Sequence, residues 1–204
     1  MYPNNIKKAI SEDQLNLSNL EPTNEGYALS KINSFKMCKF VNQKFNYNYK
    51  TIIPCNLFGP GDNFDLYSSH LVPAIIKKAN LFKERKIKKI KILGDGNPRR
   101  EFMYSEDFAD FILFFLNNFH KFSSITNCGV GEDHTVKWYY NEIFNVINGD
   151  IPSFQFDYEK PNGMMRKLLD ISKIKKLGWR AKTSFKDGIK LTQEYYEKNK
   201  LSIS

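Results

Sequence analysis

Tyr27 and Lys31 stand four residues apart in the run Tyr27-Ala28-Leu29-Ser30-Lys31, the spacing that sets two side chains one turn apart on a single helix face. A free phenol titrates near 10 and is too weak an acid to work as tyrosinate at neutral pH. A neighbouring ammonium favours the phenolate. Such a pair can hand a proton to a carbonyl oxygen while a hydride arrives at the carbonyl carbon. The lysine can also hold ribose hydroxyls of a nicotinamide cofactor. Taken alone the pair has a second reading, because any amphipathic helix can carry Tyr and Lys at this spacing.

The elements that must position the pair follow from periodicity. The first 24 residues are polar, contain Pro3-Asn4-Asn5 and Glu21-Pro22-Thr23-Asn24, and read as a loop. Ala28, Ile32, Phe35, Cys38, Val41 and Phe45 recur every three or four positions and predict a helix from about Tyr27 to Phe45. Tyr49 to Ile53 predicts a strand that Pro54 ends, with a turn-rich loop over Asn56 to Asp62. Helices are expected over Leu71–Asn80, Glu106–Phe119 (capped by Ser105), Val136–Ile147, Ser172–Leu177 and from Ser184 to about Asn199, the last opened by Ser184 with Asp187 three residues on. Strands are expected over Lys89–Leu93, Arg100–Met103, Ser124–Cys128 and, at an edge, Ser153–Phe156, with Gly94-Asp95-Gly96 as a hairpin-like turn. Strands alternating with helices imply an α/β sheet packed on both faces.

Composition narrows the classes. The chain has 204 residues, and 41% of them are hydrophobic, enough for a real core. No apolar run approaches the roughly 18 to 20 residues that span a bilayer, and no apolar segment of a secretory signal opens the sequence. Three widely spaced cysteines, 38, 55 and 128, fit a reducing cytoplasm better than a disulfide framework. The net charge of +9 is densest from Lys83 to Lys91. That run reads as a solvated loop or as attraction for a pyrophosphate-bearing ligand. Nucleic acid is disfavoured, because no groove-reading motif accompanies the charge. No repeat, low-complexity tract or metal site is expected.

Around the Tyr–Lys pair lie Glu21 to Lys31, Pro54 to Asn63, Ser69-His70-Leu71-Val72-Pro73-Ala74, Arg100-Glu101-Phe102, Asn127 to Gly131, and Lys160-Pro161-Asn162-Gly163 through Arg166-Lys167-Leu168-Leu169-Asp170. On these stretches, which cover nearly the whole chain, the sequence resembles the extended short-chain dehydrogenase/reductases, and within them the GDP-L-fucose synthase family. The resemblance implies the C-terminal part of a Rossmann-like doubly wound sheet plus a smaller α/β substrate-binding lobe. Residues 1–63 would be the remainder of the nucleotide-binding domain and 64–204 mainly the substrate lobe, with about 103–128 returning to the sheet. It also implies NADP(H) as cofactor, a GDP-sugar as substrate, a homodimer through the Tyr27 helix, and no membrane or nucleic-acid partner.

The implied roles attach position by position. Tyr27 is the proton donor, with Lys31 its partner and a cofactor contact. Pro54, Cys55, Asn56 and Leu57 line the nicotinamide side through their backbone. His70 is the acid of the epimerisation steps, which suits a group with an unperturbed pKa near 6.5, and it adjoins the cofactor. Its other reading is a helix-start residue making a structural hydrogen bond. Arg100 contacts the GDP portion with a planar, permanently charged guanidinium, or else pairs with Glu101. Lys78 is a diphosphate contact or a solvated helix residue. Asp170 accepts from the nucleotide end or caps a helix. Leu93 stands where the family often has an aromatic residue near the substrate, and Asn162 replaces a common acid. Cys55 is not the catalytic thiol. His120 and His134 match no family site and read as surface residues.

The family's glycine-rich phosphate loop belongs to the first strand–helix turn, and no G-x-x-G-x-x-G occurs in these residues. The family's catalytic serine and cysteine precede a Tyr-Pro pair, and the sequence opens on Met1-Tyr2-Pro3. The expectation is therefore a chain without the first mononucleotide-binding half, from a split or truncated gene or a mis-called start. Three rivals remain: a non-catalytic remnant, a half-enzyme needing a separately encoded N-terminal partner, and another sugar-nucleotide epimerase or dehydratase.

Overall fold

In the computed structural model the described residues are 2, 8–15, 20, 22, 25–160 and 162–200. Met1, Pro3, Asn4, Asn5, Glu21, Thr23, Asn24 and Pro161, used in the reading above, lie outside them. The elements run α1 (Glu25–Phe45), β1 (Thr51–Pro54), β2 (Asn56–Phe58), α2 (Leu71–Lys83), β3 (Ile90–Leu93), β4 (Arg99–Arg100), β5 (Phe102–Tyr104), α3 (Ser105–Asn117), β6 (Ile125–Cys128), β7 (His134–Thr135), α4 (Val136–Asn148), β8 (Phe154–Asp157), β9 (Arg166–Lys167), α5 (Ser172–Lys176) and α6 (Phe185–Lys198). Three parallel ladders join β1 to β6, β2 to β5 and β3 to β8, while β4 lies between antiparallel β7 and parallel β9. No helix among the described residues is long and apolar enough to cross a membrane.

Two apolar clusters meet at the β2–β5 ladder. Side chains alternate across a strand, so Phe102 and Tyr104 enter one cluster and Met103 the other. The first cluster packs α2, α4 and α6 through residues such as Ile75, Ile76, Ile143, Phe144 and Ile189. Each such apolar side chain, removed from water, contributes about 1.5–3 kcal/mol. The second cluster gathers Ile53 of β1, Phe111 and Phe115 of α3, Cys128 of β6, Ile174 of α5 and Trp179. Helix ends follow local chemistry. Thr135 accepts from the Trp138 amide to open α4, Gly149 closes it at φ 77°, and Ser184 accepts from the Asp187 amide to open α6.

Several expectations are corrected. The region before residue 25 is not only loop: Glu12–Gln14 form a 3-10 turn, Ile10 bridges Leu169, and Tyr2 and Ile10 are buried. Long-range bonds supply what local sequence lacks, with Asn127 accepting from the Tyr2 hydroxyl, donating to the Ile10 carbonyl and giving its amide to Glu12. The turn expected from Asn56 is a strand, because Asn56, Leu57 and Phe58 find partners in Phe102, Met103 and Tyr104. Helix α3 starts at Ser105 itself, with Tyr104 at its N-cap, and ends at Asn117. Gly94-Asp95-Gly96 is no hairpin, since β3 pairs parallel with β8 and only Gly94 turns back to bridge Asp157.

Candidate active site

Helix α1 buries Ala28 and Ile32 and leaves Tyr27 66% exposed. Lys31 holds its ammonium 5.4 Å from the centroid of the Tyr27 ring. The expected pairing on one face is thus present, and both polar heads point to where a ligand can reach them. His70 is exposed at the N-cap of α2 and makes no side-chain cap bond, so the structural hydrogen bond considered for it is absent. Burial pushes the nearby Asp62 carboxyl up, against the Asn63 amide and the neighbouring His70. No hydrogen bond or ion pair joins Tyr27 or Lys31 to His70.

The chain leaves β1 at Pro54 and enters β2 at Asn56, beside the carboxyl end of β6. The Cys55 amide donates to the Cys128 carbonyl at 2.8 Å. Burial pushes the Cys55 thiol well up, which makes it an inert sulfhydryl, not a nucleophile. Asn56 donates to the Glu101 carbonyl at 2.8 Å, and the Lys167 ammonium lies 3.5 Å from Asn56 Oδ1. Burial, with the nearby Arg100 charge, holds Lys167 below the usual lysine range. The Glu101 carboxylate is fully buried and accepts from the amides of Val130, Gly131 and Leu169. Burial raises its pKa and those three amides oppose the rise. Gly129 is needed here, because a Cβ would fall 2.3 Å from Glu101 Oε1. The sequence suggests Glu101 only as an alternative ion-pair partner of Arg100 and points to no role for Lys167. The available signal is an acid directly before the apolar run Phe102-Met103-Tyr104 (Glu101) and a charge beside a Leu-Leu pair (Lys167), both inside the family stretches.

Arg100 donates to the Met164 carbonyl at 2.5 Å and to the Arg99 carbonyl at 2.9 Å. The Glu101 carboxylate, next along the strand, serves the three amides just named. Lys78 is no solvated helix residue: it donates to the Lys91 carbonyl at 3.0 Å and to the Tyr140 hydroxyl at 2.9 Å, and burial lowers its pKa. Leu93 is 61% exposed at the carboxyl end of β3. Asp170 accepts from the Ser172 amide at 2.8 Å, the local turn that leads into α5. His120 is exposed, whereas His134 stacks on Trp138 with centroids 3.8 Å apart and is no simple surface residue. Asp133, held by Arg99 and Arg166, staples β4, β7 and β9 together.

Parallel strands linked by helices define a Rossmann-like α/β protein. Comparison with known proteins narrows this. The sequence pattern of the NAD-dependent epimerase/dehydratase family matches residues 1–129. The chain is 44% identical over 202 residues to the GDP-L-colitose synthase of Yersinia pseudotuberculosis, covering 98% of this chain and 65% of that protein. It is 42% identical over 196 residues to the GDP-L-fucose synthase of Azorhizobium caulinodans, covering 96% of this chain and 62% of that protein. A solved GDP-L-fucose synthetase from Naegleria fowleri bound to NADP superposes with a TM-score of 0.86 at 25% identity, over 98% of this chain and 64% of that one. The chain belongs to the NAD-dependent epimerase/dehydratase family, and it spans a little under two thirds of the length of these relatives.

Proposed function

We propose that the chain carries the proton-donor and substrate side of an NADPH-dependent enzyme that converts GDP-4-keto-6-deoxy-D-mannose to GDP-L-fucose. The observation that carries the reading is the Tyr27–Lys31 pair, exposed on one face of α1 with the ammonium 5.4 Å from the ring centroid. The same pair fits a nicotinamide cofactor: among the described residues neither side-chain head is consumed by a protein hydrogen bond or ion pair. The parallel β1 and β6 end together where Pro54 to Leu57 present their backbone. NADPH, when bound, supplies the hydride.

In this reading the substrate ketone acidifies the hydrogens on carbons three and five, and His70 delivers protons to one ring face. The proton acceptor on the opposite face is not assigned to a residue of this chain. Tyr27 then gives its hydroxyl proton to the oxygen at carbon four, so the ketone becomes an alcohol. Lys31 favours the phenolate left behind. Arg100, with its fixed planar charge, holds the diphosphate. A second copy of the chain docks on α1, whose Met37 and Phe40 are exposed.

These 204 residues contain no glycine-rich phosphate loop, so by themselves they bind GDP-sugar weakly and do not turn it over. The test is twofold. Calorimetric titration of this chain should show weak GDP binding and no tight NADP binding. The same chain joined to a glycine-rich-loop segment of a relative should consume NADPH with the keto sugar, the product being assigned by NMR. Tight NADP binding by the chain alone, or no NADPH consumption by the joined protein, would sink the reading. A second reading, favoured by the 44% identity to a GDP-L-colitose synthase, is formation of that other GDP-L-sugar, and product analysis separates the two.

A further inference from the structure

β8 and β9 belong to different ladders, and three consecutive residues ahead of β9 pin the chain between them. Asn162 Oδ1 accepts from the Asp95 amide at 2.9 Å, and its side chain lies close enough to the Asp95 carboxyl to help hold it below its ordinary value. Gly163 turns the chain at φ +65°, the left-handed region that favours glycine. Met164 then presents its carbonyl to Arg100 at 2.5 Å. The clasp has a receptor shaped for it. A Cβ on Gly94 would fall 2.2 Å from Asn162 Oδ1, so only glycine there admits the amide. Asp95 is in turn fixed by the amide and side chain of Asn97, at 2.9 and 3.0 Å.

The chemistry requires an amide at position 162. A carboxylate there could still accept from the Asp95 amide, but it would set a second negative charge beside the Asp95 carboxyl. Asn162 is therefore matched to Asp95 in particular. Because Gly163 and Met164 follow directly, the clasp fixes the carbonyl that orients Arg100.

We infer that Asn162 is a positioning residue for nucleotide binding: paired with Asp95, it holds Met164 where its carbonyl aims the Arg100 guanidinium at the diphosphate. The inference rests on the reading of Arg100 given above. It acts on binding and leaves the proton transfer at Tyr27 untouched.

The experiment compares the 204-residue chain with N162D, D95N/N162D and G94A, reading the GDP dissociation constant by calorimetry, the melting temperature, and hydrogen exchange at the Asp95 amide by NMR. The expected result is about a tenfold weaker GDP affinity in N162D, recovered in D95N/N162D, where an amide again faces a carboxylate. The melting temperatures should be nearly equal in these two variants and the wild-type chain. G94A should lose both affinity and Asp95 protection. Unchanged GDP affinity in N162D, or no recovery in the double variant, overturns the inference. An unprotected Asp95 amide in the wild-type chain overturns the clasp itself, whatever the chain binds. A protected amide in a wild-type chain that binds no GDP overturns the reading of Arg100, and with it the role of Asn162.

Discussion

Glu101 Oε1 accepts from the Gly131 amide at 2.7 Å, so a side chain between β4 and β5 holds the loop that leaves β6. The other oxygen takes the Leu169 amide at 2.9 Å. Both oxygens must accept, and Glu101→Gln breaks that requirement, because an amide offers one acceptor and one donor. A donor would then face a backbone N–H in a fully buried place. The expected loss is about 1–3 kcal/mol, and for a chain of this size each kcal/mol lowers the melting temperature by about 2–4 °C. Thermal unfolding followed by circular dichroism reads this directly. An unchanged melting temperature would show that the carboxylate is replaceable.

Asp133 gives the pH dependence a definite sign. Burial raises its pKa, but Arg166 and Arg99 outweigh burial and hold the carboxyl below its ordinary 3.8. A depressed folded-state pKa adds stability that is complete above the unfolded value and is lost as pH falls through the folded one. The stability gap between the wild-type chain and Asp133→Asn should therefore be constant from neutral pH down to about pH 5 and close below about pH 4. Urea unfolding at a series of pH values measures it. A gap that persists undiminished well below that range, or that closes near neutrality, contradicts the assignment.

Tyr27→Phe separates chemistry from folding. The ring is 66% exposed, and loss of an exposed hydroxyl changes stability by less than about 0.5 kcal/mol. Removal of a general acid costs about 10²–10⁴-fold in turnover. In the joined protein described above, kcat should fall within that range while KM and melting temperature hold. A fall in KM affinity with intact kcat would instead make Tyr27 a binding residue.

The parts of this architecture visible in the sequence are those fixed by local rules. Ser184 and Asp187 announce α6 because the cap bond spans three residues, and the three- and four-residue spacing in α1 finds Ala28 and Ile32 on the buried side. The same spacing also counted Phe45, which is 56% exposed, since period alone cannot say where a helix outruns its support. Strand β2 was hidden by Pro54 on one side and Gly59-Pro60 on the other, and it exists only because β5 pairs with it. Ser105 resembled a cap, yet the chain is already helical there. In the candidate site, the pairing of Tyr27 and Lys31 on one helix face is legible from their spacing. Glu101 was not, because its partners are backbone amides at Val130, Gly131 and Leu169, which carry no residue-type signal.

Gly188 sets helix propensity against packing, and the magnitudes decide the outcome. It lies inside α6 with no unusual backbone angle, so Gly188→Ala should gain about 1 kcal/mol from propensity. A Cβ there would fall 2.8 Å from Phe58 Cζ and 3.2 Å from Tyr104 Cδ2. Phe58 cannot swing aside: it is 2% exposed and meets the rings of Phe102, Tyr104 and Phe185. Overpacking of such a site costs about 1–3 kcal/mol, and α6 would have to lift from the β2–β5 ladder, the strands on which both cores depend. The clash should equal or exceed the gain, so the variant should be no more stable than the wild-type chain and at worst about 2 kcal/mol less stable. Calorimetric melting decides it. A clear rise in melting temperature would mean that Phe58 relaxes freely and that the ladder is packed more loosely than these distances indicate.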